Sequence, residues 1–235
     1  PLPFRPMSEW KVPSRNTFRL LLAFLCISVG INVWMAEREL KRRATRPTPF
    51  TERGSTRVEL NASMRIAPNT SVFMGDSHIE MFPLNAMFPE HEILNYGISG
   101  HTIAQVQQLA KTDLGNTPKQ LFVLAGINDL FQGGTAEEVA SRMEKLLGAL
   151  HDHYPEVPIH VFSLLPVVDP YLKDPVIESN KRISAICLAQ KVDFIDLYSH
   201  FAQDGVMPID LVYDGIHLNA KGYQRLAELI GPYLN

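Results

Sequence analysis

From about residue 68 onward, short apolar runs alternate with stretches of helical period. This alternation constrains the fold more than any other feature of the chain. Ser71–Met74 (SVFM), His91–Asn95 (HEILN), Gln120–Ala125 (QLFVLA), Pro158–Leu164 (PIHVFSL) and Val192–Asp196 (VDFID) read as five strands. Between them, Thr102–Leu114 carries Ile103, Val106 and Leu109 at helical spacing. Thr135–His153 opens with Thr135 and Glu138, a capping box, and sets Val139, Met143, Leu146, Leu147 and Leu150 on one face. Val176–Gln190 carries Ile177, Ile183, Ile186 and Cys187, and Asn219 is placed to cap a last helix over Ala220–Leu234. Strands alternating with helices predict a parallel sheet covered on both faces. In such sheets the site lies at the carboxyl ends of the strands.

Polar blocks stand where that rule puts chemistry. The first strand runs into Gly75-Asp76-Ser77-His78 and the second into Asn95-Tyr96-Gly97-Ile98-Ser99-Gly100. The third runs into Gly126-Ile127-Asn128-Asp129, and Asp214-Gly215-Ile216-His217-Leu218-Asn219 precedes the last helix. Each block is short enough to arise by chance. The four together, in this order, form a joint signal. Ser77 needs a base to act as a nucleophile at neutral pH, and His217 can supply one. Asp214, three residues before His217, is the natural group to fix the imidazole tautomer.

In these four blocks the sequence resembles the SGNH (GDSL) hydrolase family, over about residues 68–235. The family's four naming residues match Ser77, Gly100, Asn128 and His217. The runs NYGISGHT and LAGINDL are similar to those of small esterases of the lysophospholipase and platelet-activating-factor acetylhydrolase type. The resemblance implies a flavodoxin-like three-layer α/β/α fold with a five-stranded parallel sheet. It implies serine ester hydrolysis with Ser77, Asp214 and His217 catalytic and no metal or cofactor. It also implies an oxyanion hole from the N–H groups of Ser77 and Gly100 and the amide of Asn128, which are donors aimed at the charge that attack creates. Asp76 and Asp129 read as struts of their loops, and Gly97 as a backbone-geometry residue.

Two residues depart from the family pattern. His78 follows the serine where the family usually has an aliphatic or small residue, and His101 stands where it often has Asp. Each reads either as a partly exposed polar residue at a helix start or as a residue shaping the leaving-group side. Short connections leave no room for a lid domain, so an open cleft is expected, walled by residues 165–175 and 203–213. Val167, Val168, Tyr171, Met207, Leu211 and Val212 are candidates for an acyl or alcohol pocket, or equally for loop-anchoring core. An open cleft suits short acyl esters of carbohydrates, or lysolipids. An O-acyltransferase using the same serine is the first alternative, and a non-catalytic carbohydrate-binding domain of the same fold is the second.

The first 67 residues are different in kind. Leu20–Ala36 is a run of 17 residues without a charge. As a helix it spans about 25 Å at ~1.5 Å per residue, against ~30 Å of hydrocarbon. It is expected to be an uncleaved N-terminal transmembrane helix, with a cleaved signal as the alternative. Residues 1–19 then form a basic segment and 37–67 an Arg-, Thr- and Pro-rich linker. The hydrolase domain, residues 68–235, would be membrane-tethered and extracytoplasmic (periplasmic), or secreted if the segment is cleaved. Residues 1–70 hold 12 Lys and Arg against 5 Asp and Glu, while residues 71–235 hold 10 against 20. That acidic balance argues against nucleic acid as a partner of the globular part. The 2 cysteines exclude a disulfide scaffold and a cysteine zinc cluster. His151 and His153 alone give no metal site.

Overall fold

The computed structural model describes residues 14–45 and 49–234. Two compact units are present, residues 1–49 and residues 50–235. In chain order the elements are α1 (Arg15–Thr45), α2 (Pro49–Ser63), β1 (Ser71–Gly75), α3 (Ser77–Glu80), α4 (Leu84–Met87), β2 (Ile93–Gly97), α5 (Ile103–Leu109) and β3 (Gln120–Leu124). Then follow α6 (Ile127–Phe131), α7 (Ala136–His153), β4 (Ile159–Phe162), α8 (Lys173–Gln190), β5 (Asp193–Ile195), α9 (Tyr198–Phe201) and α10 (Ala220–Ile230). Short 3₁₀ turns cover Pro170–Leu172, Ile209–Leu211 and Gly231–Leu234.

In the first unit, α1 is one helix of 31 residues that contains the uncharged run. Among the described residues no helix is long and apolar enough to cross a membrane. The expected spanning helix is therefore not supported. The uncharged run falls short of the hydrocarbon thickness, and Arg15, Arg19, Glu37, Arg38 and Glu39 continue the same helix at its two ends. The N-terminal basic segment, residues 1–19, falls largely outside the described residues.

In the second unit all five strands pair in parallel, in the order β2-β1-β3-β4-β5. This is the flavodoxin-like order, whose topological switch point lies between β1 and β3. Strand side chains alternate between two cores. Val72, Met74, Leu121, Val123, Ile159 and Val161 pack with apolar residues of α5, α7 and α8. Phe73, Phe122, Leu124 and Phe162 pack with α3, α9 and α10. Because Phe73 pairs with Phe122 and Phe122 with His160, the second face carries an aromatic row across the sheet. The Phe73 and Phe122 rings stack at 4.4 Å, and Phe122 and His160 at 4.7 Å. Both caps expected from the sequence form. Thr135 accepts from the Glu138 N–H, and Asn219 accepts from the Gly222 N–H.

Residues 37–67, expected as a linker, contain α2. Its C-terminal half docks beside the edge strand β2. Arg57 donates to the Asn95 carbonyl at 2.9 Å, and the Tyr96 hydroxyl donates to the Asn61 carbonyl at 2.9 Å. The side chain of Asn61 is fully buried. The folded unit thus begins before residue 68.

Candidate active site

Strand β1 ends in Gly75, where a Cβ would stand 2.1 Å from the Leu124 carbonyl oxygen. Only glycine lets the ends of β1 and β3 approach this closely. The next N–H, of Asp76, donates to that same oxygen at 3.2 Å. Asp76 then caps α3, its carboxylate accepting the His78 N–H at 2.9 Å. Ser77 is thereby the first residue of a helix that starts directly beyond the sheet. Asn95 clamps the far end of α3, donating to the carbonyls of Ile79 and Phe82.

The loop before α10 brings His217 to Ser77. An isolated bridge between Val212 and Leu218 closes this loop, and Gly215 takes φ +91° within it. Asp214 folds the loop on itself, one carboxylate oxygen accepting the N–H groups of Ile216 at 3.0 Å and His217 at 2.8 Å. Its other oxygen lies 2.6 Å from His217 Nδ1. His217 Nε2 lies 2.8 Å from Ser77 Oγ. With Nδ1–H donating to the carboxylate, Nε2 carries the lone pair that faces the serine hydroxyl. Burial alone would raise the Asp214 carboxyl. The hydrogen bonds from the His217 ring and from the His217 and Ile216 N–H groups outweigh it and hold Asp214 below its ordinary range.

Two of the expected oxyanion donors, Gly100 and Asn128, lie on two further loops that are tied to each other. Ile98 to His101 is a turn closed by the His101 N–H on the Ile98 carbonyl, and Gly100 at its third position has φ +78°. That sign of φ is what a type II turn needs there and what glycine supplies. The Asn128 amide donates to the His101 carbonyl at 2.9 Å, which fixes its orientation and leaves its second N–H. Among the described residues, neither the N–H of Ser77 nor that of Gly100 has an acceptor. Glu80 takes the Ser99 N–H and so ties α3 to this turn.

The struts behave as expected. Asp129 is fully buried and accepts from the Ile103 N–H at 2.9 Å and from Arg142 at 2.7 Å. Gly97 is where β2 passes α3, since a Cβ there would stand 2.3 Å from the Glu80 nitrogen.

The pocket candidates divide. Val167 and Met207 are buried and joined to each other by the Met207 N–H on the Val167 carbonyl. Leu211 and Val212 are also core, and Tyr171 stands 89% exposed. His78 is only 3% exposed, so it is not the partly exposed helix-start residue of the first reading. His101 is half-buried. Burial lowers its imidazole against the pull of Glu80 and Asp76, which favours the neutral form. Tyr213 closes the second expected wall, residues 203–213, but was not among the pocket candidates. Its ring stacks on His217 at 5.7 Å and 18°, and its hydroxyl reaches Met81 Sδ at 3.5 Å. Its position beside Asp214 was the available signal. Among the described residues no group of three or more His, Cys, Asp or Glu is placed to hold a metal ion.

Residues 82–225 match the family model described as GDSL-like lipase/acylhydrolase. The chain belongs to that family. As a GDSL-like acylhydrolase it is a carboxylic ester hydrolase, and Ser77 lies just before the matched stretch. Platelet-activating factor acetylhydrolase IB subunit alpha2 of Rattus norvegicus is 27% identical over 169 residues, covering 67% of this chain and 72% of the relative. A GDSL-like lipase from Bacteroides thetaiotaomicron superposes with a TM-score of 0.66 at 20% identity, covering 77% of this chain and 96% of that one. A carbohydrate esterase family 3 protein from Talaromyces cellulolyticus gives 0.59 at 18% identity, covering 71% and 96%. These two structural likenesses bear on the fold.

Proposed function

We propose that this GDSL-like acylhydrolase cleaves short acyl esters through an acyl-enzyme on Ser77. The observation that carries the reading is the unbroken chain from Ser77 Oγ to His217 Nε2 at 2.8 Å and from His217 Nδ1 to Asp214 at 2.6 Å. Ser77 Oγ attacks the ester carbonyl while its proton passes to His217 Nε2. The carbonyl oxygen becomes an oxyanion stabilised by the Ser77 and Gly100 N–H groups and the Asn128 amide, each such donor lowering the barrier by about 3 kcal/mol. The C–O bond to the alcohol then breaks, and the alcohol leaves with the proton from His217. Water, deprotonated by His217, attacks the acyl-enzyme, releases the carboxylic acid and restores Ser77. Asp214 stays ionised and stabilises the imidazolium.

Two observations support a short acyl group. Val167 and Met207, expected to line an acyl pocket, are buried in the two cores. Tyr213 and Met81 supply instead a shallow, exposed apolar wall beside His217. The acetylhydrolase name of the rat relative agrees with this, and the carbohydrate esterase neighbour agrees with a sugar as the alcohol. A panel of acetyl, butyryl and octanoyl esters, acetylated sugars and lysophospholipids tests the substrate class. Acetyl esters are expected to turn over fastest, and a maximum at octanoyl would overturn the short-acyl reading. Counting free acid against acyl sugar when carbohydrate is added separates hydrolysis from O-acyl transfer.

We also infer that α1 associates with a lipid surface, with the catalytic unit extracytoplasmic. Large apolar side chains at Phe18, Leu22, Phe24, Val29, Ile31 and Val33 are exposed on it, which supports the reading. The full chain should float with liposomes, and a chain beginning at Phe50 should not. Equal behaviour of the two would sink the idea.

A further inference from the structure

His78 is a buried titratable group next to the nucleophile that the reaction above does not use. Its ring lies 5.8 Å from the ring of His217. Nδ1 is 3.1 Å from an Asp76 carboxylate oxygen, and Nε2 is 3.2 Å from the Ile216 carbonyl oxygen. Both partners are acceptors. A neutral imidazole has one N–H and satisfies one of them, whereas the imidazolium has two and satisfies both. Asp76 points the same way. It is 1% exposed, and its second carboxylate oxygen is buried with no donor. A carboxylate so placed is very costly without an opposite charge beside it.

The bond to Ile216 matters because of what that carbonyl belongs to. It is half of the peptide that joins Ile216 to His217, and both residues' N–H groups are already held by Asp214. His78 follows Ser77 directly. One ring therefore joins the turn that carries the nucleophile to the peptide that carries the base. We propose that His78 is held as an imidazolium that brackets the Ser77 turn to the His217 loop, and that it is a positioning residue for the Ser77–His217 pair.

The groups around His78 set the sign of its pH dependence. Asp76 faces it from its own turn, and Asp214 and His217 from the last loop. The Tyr223 hydroxyl on α10 donates to the His78 carbonyl. His101, on the oxyanion turn, shares the field of Asp76 and Glu80. Burial alone would lower the His78 imidazole. The hydrogen bond and charge of Asp76, the Ile216 carbonyl and the charge of Asp214 outweigh it and leave the imidazole raised. With its folded value raised, the bracket is complete below the ordinary histidine value near ~6.5. It is lost as pH rises through the folded value, which gives activity an alkaline limb.

The inference rests on Ser77 being the nucleophile, so two readouts are needed. The first is the ¹⁵N spectrum of the histidine rings in the full chain at pH 7, with the His78 signals assigned from their loss in His78→Gln. Both His78 nitrogens should show the protonated signature, and one unprotonated nitrogen would overturn the proposal. The second is the rate at which a fluorophosphonate labels Ser77 between pH 6 and 9. In this step Ser77 Oγ bonds to phosphorus, fluoride leaves and His217 takes the proton. Wild type should slow on the alkaline side as His78 loses its proton. His78→Gln keeps a donor for the Ile216 carbonyl but does not titrate, so it should be slower overall and lose the alkaline limb. His78→Leu keeps neither and should fall about 100-fold, the scale of a misplaced reacting pair. An alkaline limb unchanged in folded His78→Gln would sink the bracket. If wild type is not labelled at all, the serine-nucleophile reading fails, and the ring-nitrogen spectrum alone decides the charge of His78.

Discussion

Asp214 has three hydrogen-bond donors on two oxygens, and its depressed carboxyl makes a statement about stability as well as catalysis. A carboxylate whose folded value is depressed contributes stability that is complete above its unfolded value. That contribution fades as pH falls through the folded one. Wild type should therefore have a higher Tm than Asp214→Asn at neutral pH. The gap should close in acid, below the ordinary carboxylate range near ~3.9. A gap that persists unchanged at low pH would show that the Asp214 charge is not what holds the loop. Ser77→Ala should behave oppositely, removing ester cleavage while leaving the unfolding free energy within about 1 kcal/mol of wild type, since it deletes a single hydrogen bond. Residual activity within tenfold of wild type would sink Ser77 as nucleophile. Several residues could be read in the sequence because chemistry restricts them. A serine, an Asp-x-x-His pair and a glycine after a strand have few other reasons to coincide. His78 could not, because whether a polar residue beside a nucleophile faces solvent or core depends on α10 and the last loop, more than a hundred residues away.

Strand ends position the candidate catalytic groups, and the contact of Gly75 with the Leu124 carbonyl is the tightest such constraint described. Gly75→Ala puts a methyl against backbone that has no rotamer to escape with. The expected loss is about 3 kcal/mol by urea denaturation. Activity should fall further than stability does, because the Ser77 turn moves relative to Asn128. Full activity and unchanged urea midpoint would show that the two strands can part at no cost. The strands themselves were legible because parallel strands are buried on both faces and read as unbroken apolar runs. Helix α2 was not. Its composition is polar, and what holds it is Arg57 on Asn95 and Tyr96 on Asn61, pairs separated by 38 and 35 residues. No local period encodes such contacts. For Val167 and Met207 the sequence left pocket and core open, and both fall on the core side, the commoner fate of an apolar loop residue.

For the whole molecule, the boundary near Phe50 has a measurable consequence. A chain beginning at Phe50 should keep the ester hydrolase activity and urea midpoint of the full chain. One beginning at residue 68 loses Arg57 and Asn61, uncovers the Tyr96 hydroxyl and leaves the β2 edge bare. It should unfold at lower urea and aggregate more readily. Equal midpoints for the two would mean that α2 is ornament. The cross-ties between loops carry a further consequence. Asn128 holds the His101 carbonyl, Val168 donates to the Gly215 carbonyl, Glu80 holds Ser99 and His78 holds Ile216. A rim stitched together in this way has no flap to lift when it meets an oil droplet. Many lipases are silent on dissolved substrate and switch on at an interface. This enzyme should instead show saturable velocity on monomeric ester, with no jump in rate as the substrate passes its solubility limit.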